Sequence, residues 1–89
     1  MNKLELITEH YPDAELLSAD GFDDAILGVV FDNGLGETRL AYSRCKCIMI
    51  LMRRDSMTEE EAIKYFEFNV EGAYVGVKTP IWVDDMVME

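Results

Sequence analysis

The amino-acid sequence predicts a small α+β domain of one unit, residues 1–89, in which an antiparallel β-hairpin and a short third strand pack against about three helices in the order α-β-β-α-α-β. Three observations carry this prediction. Asn2 with Glu5, and Thr58 with Glu61, form polar signatures at which side chains satisfy the free amides of a helix start. Two β-rich runs flank Asn33-Gly34, a turn dipeptide. Between the hairpin and Thr58 lies RCKCIMILMRR, too long and too continuously apolar for an exposed loop.

The elements follow in order. Leu4, Ile7 and Tyr11 recur at helical spacing after Asn2, and Pro12 interrupts them. PDAELLSAD suggests a further short turn of helix before Gly21. AILGVVF is apolar on both parities, the pattern of a strand buried on both faces, and Gly28 within it marks a bulge or a close neighbour. FDNGLGE turns the chain and TRLAYS returns it. Ser43 is placed as the N-cap of the second helix, where Cys45, Ile48, Met49 and Met52 share one face and Ile50 lies opposite. Arg53 and Arg54 close that helix, where its dipole favours cations. The third helix runs from Thr58 to Asn69 or Glu71 with Ala62, Ile63, Phe66 and Val70 inward. Gly72 then suits the left-handed position after a helix end. TPIWV is the last strand, held to an edge or a strand start by Pro80.

Composition narrows the function. With 49 % hydrophobic residues the chain is ordinary for a globular domain. No run approaches the roughly 20 apolar residues of a membrane span, and the acids and histidine of MNKLELITEH break up any signal peptide. The expected place is the cytoplasm. A net charge of −10 opposes direct binding to nucleic acid or anionic membranes. The five bases between residues 38 and 54 (Arg39, Arg44, Lys46, Arg53 and Arg54) meet no acid within that segment. They are expected to neutralise neighbouring acids rather than to hold phosphate.

Catalytic patterns are weak. Cys45 and Cys47 point about 160° apart on a helix and cannot share a metal, so both read as buried small apolar residues. His10 reads as a helix-end or surface residue. Asp20, Asp23 and Asp24 form the best acidic cluster and the only weak candidates for a metal, but they lack the calcium-loop pattern. The glycines of FNVEGAYVG follow a helix instead of opening one, so no phosphate loop is expected and no cofactor is called for. Phe68 does resist a core reading, since it falls about 160° from the inward face of the third helix. With Tyr65, Tyr74 and Trp82 it makes a candidate aromatic interaction surface rimmed by acids.

DGFDDAILG, the run EEAIKYFEFNVEGAYVG and the closing TPIWV, within residues 20–83, resemble a family of short uncharacterised proteins of tailed phages and bacteria. The resemblance implies a small intracellular protein of that source and brings no activity with it. The expected function is an acidic protein-interaction module that occludes a host protein by imitating nucleic acid or another polyanion. Two alternatives accompany it. One is a self-associating homodimer that buries Phe68, Ile50 and methionines. The other is a minimal metal-dependent enzyme or nucleotide-binding protein built on Asp20, Asp23 and Asp24.

Overall fold

The computed structural model describes residues 2–34 and 36–85. Its order is helix α1 (Lys3–His10), a 3-10 turn (Asp23–Ala25), strands β1 (Ile26–Asp32) and β2 (Glu37–Ser43), helices α2 (Arg44–Arg54) and α3 (Glu59–Phe66), a π-helical turn (Glu67–Glu71) and strand β3 (Ile81–Val83). The predicted α+β order is observed.

Local chemistry sets the helix starts. Asn2 Oδ1 accepts from the Glu5 amide at 2.9 Å while Glu5 accepts from the Asn2 amide at 3.0 Å. Thr58 and Glu61 make the same reciprocal pair at 3.2 and 2.9 Å. Ser43, the last residue of β2, caps α2 through its hydroxyl, which accepts from the Lys46 amide at 3.1 Å. One residue thus ends a strand and starts a helix. PDAELLSAD forms no helix: after a turn at Pro12-Asp13-Ala14 it runs without regular structure, and Tyr42 holds its end by accepting from the Ala19 amide at 2.7 Å.

The sheet has the order β1-β2-β3, antiparallel between β1 and β2 and parallel between β2 and β3. β2 is therefore central, and its residues Leu40, Ala41, Tyr42 and Ser43 are buried. β1 is an edge strand, and here the structure corrects the expectation of burial on both faces. Leu27 and Phe31 are exposed, because the short helix α1 beside them covers them incompletely: Leu27 borders an open cleft along α1 and Phe31 meets the Tyr11 ring edge-on at 5.8 Å. Gly28 does lie at a bulge, where the register shifts between Ile26 and Gly28. The hairpin turn falls between Asp32 and Glu37, with Gly36 rather than Gly34 in the left-handed region at φ 71°. β3 follows Pro80 at the other edge, as its proline requires.

The core joins Phe22, Ile26, Leu40, Tyr42, Leu51 and Phe66. α2 supplies Cys47, Ile48 and Leu51 to it, a face rotated by about 100° from the predicted one. Cys45, Met49 and Met52 instead line an open groove with Ile63 of α3. The rotation follows from α2 packing against both the 3-10 turn and α3. Ile50 lies beside Lys46 and Arg53, as expected, and is partly buried against the core.

Candidate interaction surface

The end of α3 is where sequence and packing part company. Ala62 and Phe66 are fully buried, and Ile63 and Val70 pack partly against the core. Beyond Phe66 the helix widens into the π turn, closed by the Gly72 amide donating to the Glu67 carbonyl at 3.1 Å. Such turns are rare in helices and concentrate at functional sites. The wider turn keeps Val70 inward while Phe68 stands out at 83 % exposure.

Gly72 has a different physical role from the one predicted. Its backbone is right-handed, at φ −78°, so it is no left-handed cap. A Cβ at this position would lie 2.8 Å from the Glu67 carbonyl oxygen, and the glycine is needed for that close approach. The left-handed glycine of this segment is Gly76, at φ 110°. Between the two glycines the chain presents Tyr74, 75 % exposed, and Val75. Thr79 braces this loop: its hydroxyl accepts from the Val75 amide at 2.9 Å and donates to the Gly76 carbonyl at 2.6 Å. The exposed side chains therefore stand on a fixed backbone.

Of the four aromatic candidates, Tyr65, Phe68 and Tyr74 are exposed as a surface requires. Trp82 is not one of them. It packs between Tyr42 and Phe66, with ring centroids 5.1 and 5.2 Å away, because β3 places it against the core side of the sheet. Val75 and Val77, which the aromatic search passed over, are exposed apolar members of the same loop. Their signal in the sequence was their place on either side of Gly76, outside any periodic element.

Trp82 has a second environment. With Phe22, Leu17 and Val70 it walls a cavity of about 460 Å³, and Asp20 and Asn69 supply polar groups to it. Val75 and Ala73 also line it, so the cavity adjoins the loop that carries Tyr74. Trp82 Nε1 is buried and has no hydrogen-bond partner among the described residues.

The acidic cluster does not gather. Among the described residues no group of three or more His, Cys, Asp or Glu side chains is placed to hold a metal ion. Asp20 faces the cavity beside Trp82, Asp23 begins the 3-10 turn, and Asp24 lies at a separate cleft with Lys46 and Arg53. The turn itself separates them, since consecutive residues of a tight helical turn point in different directions.

The central bases pair largely with acids. Arg39 meets Asp32 at 3.1 Å, Arg44 meets Glu67 at 3.1 Å and Glu71 at 3.5 Å, and Arg54 meets Asp55 at 3.3 Å. Two of these guanidinium groups also cover core rings, Arg44 over Phe66 at 5.7 Å and Arg54 over Phe22 at 5.4 Å. Arg44 thereby ties α2 to the π turn that presents Phe68. Lys46 and Arg53 have no ion pair among the described residues.

Cys47 is fully buried, and burial, reinforced by the charge of Asp85, pushes its thiol from 9.0 up to about 12. It cannot supply a thiolate nucleophile near neutral pH. Cys45 differs from the expectation in being only half-buried, with Sγ 3.8 Å from Asp84 Oδ1. His10 is exposed at the end of α1, edge-on to Tyr11.

No helix among the described residues is long and apolar enough to cross a membrane. The chain matches no protein-family model, no curated protein and no solved structure with which it was compared.

Proposed function

We propose that this chain is an acidic protein-interaction module whose contact surface is the end of α3 and the loop after it, Tyr65, Phe68, Tyr74, Val75 and Val77. The observation that carries the reading is Phe68, 83 % exposed on a braced π turn whose neighbouring residues Phe66 and Val70 are turned to the core. An exposed phenylalanine in a fixed setting loses little conformational freedom on contact and contributes large apolar area, the properties of a binding hot spot.

The net charge of −10 favours a basic partner, including a protein whose own surface is built to take nucleic acid or another polyanion. Such a role suits a small protein of a tailed phage or a bacterium acting in the cytoplasm. The experiment is a nuclease-treated pull-down from bacterial lysate with the parent chain and with Phe68→Ser, native mass being recorded in parallel. A stoichiometric basic protein held by the parent, lost by the variant and released as salt rises supports the reading. A partner retained equally by Phe68→Ser refutes the surface. A salt-stable dimer without another protein refutes the basic partner.

A further inference from the structure

The cavity beside the loop has chemistry of its own. Its walls are the apolar surfaces of Leu17, Phe22, Val70 and Trp82, and its volume of about 460 Å³ falls within the roughly 300–1,000 Å³ of ligand sites. The charged group among its lining residues is the Asp20 carboxylate, and no lysine or arginine lines it. Asn69, on the π turn, adds an amide. The wall also contains Trp82, whose Nε1 is the buried side-chain donor without a partner among the described residues. With its Nε1 enclosed, Trp82 offers the cavity apolar ring surface.

Two demands therefore coincide: an apolar body for the walls and a cation for Asp20. A peptide segment with a large apolar residue next to lysine or arginine meets both. We propose that the cavity is the specificity pocket for such a segment of the basic partner. This rests on the interaction-module reading and gives it a second contact. The apolar side chain enters between Trp82 and Phe22, and its cationic neighbour stays at the rim beside Asp20. The charge at the rim selects against acidic segments, since a carboxylate beside Asp20 would be repelled.

Trp82 is the chain's sole tryptophan, so its fluorescence reports directly on this wall. The probe is an acetylated, amidated hexapeptide of alternating leucine and lysine, with the leucine-glutamate hexapeptide as its control. The expected result is a saturable change in Trp82 emission with the lysine peptide and none with the glutamate peptide. Asp20→Asn, an exposed change that leaves folding intact, should weaken binding about two- to fivefold, the range of an exposed ion pair. Ala73→Phe, which adds bulk at an exposed lining position, should abolish the saturable change while circular dichroism remains that of the parent.

The proposal is overturned by the absence of saturation up to millimolar lysine peptide, by equal binding of the two peptides, or by unchanged affinity in the folded Ala73→Phe variant. These outcomes are separable from failure of the wider reading. The pull-down with Phe68→Ser tests the exposed surface without the peptide, and the peptide titration tests the pocket without a partner protein.

Discussion

Raising the pH should destabilise this protein through one thiol. Cys47 is fully buried and holds its proton to about 12, against 9.0 for an ordinary thiol. Between these values the unfolded chain releases the proton and the folded chain keeps it, so the unfolded state binds fewer protons and stability falls as pH rises. The contribution is fully present below pH 9 and disappears as pH approaches 12. At about 1.4 kcal/mol per unit, the loss from pH 8 to pH 10.5 is about 2 kcal/mol, on the order of a third of a small domain's stability. Tyr42, raised chiefly by burial, adds a loss of the same sign at higher pH.

The assay is urea unfolding followed by Trp82 fluorescence at pH 8, 9, 10 and 10.5, run on the parent and on Cys47→Ala. The variant starts less stable because it loses buried volume, but it lacks this titration. Tyr42 and every other titratable group are common to both proteins. The difference between the two curves should therefore shrink by about 2 kcal/mol over the range. A constant difference from pH 8 to pH 10.5 would refute the assignment of this pH dependence to a buried Cys47.

Other changes test the backbone and the core. Gly72→Ala forces a Cβ onto the Glu67 carbonyl and should cost about 1–3 kcal/mol. Thermal unfolding measures that loss, and a melting temperature equal to the parent's would show that the π turn can relax. Ser56 holds a left-handed φ of 55° without being glycine, so Ser56→Gly should raise stability by about 0.5–1 kcal/mol in urea unfolding. Tyr42→Phe removes the oxygen that accepts from the Ala19 amide and should cost about 1–2 kcal/mol. Hydrogen exchange at Ala19 should accelerate in that variant.

What was legible in the sequence follows from how local its cause is. The caps of Asn2, Ser43 and Thr58 depend on residues three apart, so they could be found without knowing the fold. Burial of the faces of β1 depends on what packs over them, and nothing in AILGVVF says that the helix beside Leu27 and Phe31 is too short to cover them. The face of α2 was misplaced for the same reason. A helix apolar on most sides leaves its orientation to its neighbours, which select Cys47 and Leu51 and leave Met49 and Met52 in a groove.

In the candidate surface, the angular position of Phe68 set it off the inward face of its helix but left open whether another element covers it, and the fold leaves it exposed. Trp82 was misassigned because a three-residue strand is too short to reveal which side faces the core. The cavity beside it was hidden for a further reason: its walls come from residues 17–22, the π turn and β3, distant segments that only the folded chain assembles.

The parallel pairing of β2 with β3 has a consequence for the order of folding. Ala41 must find Ile81 across a sequence interval that contains both α2 and α3, whereas β1 and β2 meet across the short connection between Asp32 and Glu37. Closing the longer loop carries the larger entropy cost and waits on the docking of two helices. During synthesis from the N-terminus the hairpin and α2 can assemble while one side of β2 still lacks its neighbour. That transient sheet edge is sealed only once residue 83 has been made, so the hydrogen bonds of β3 act as a late latch on the central strand.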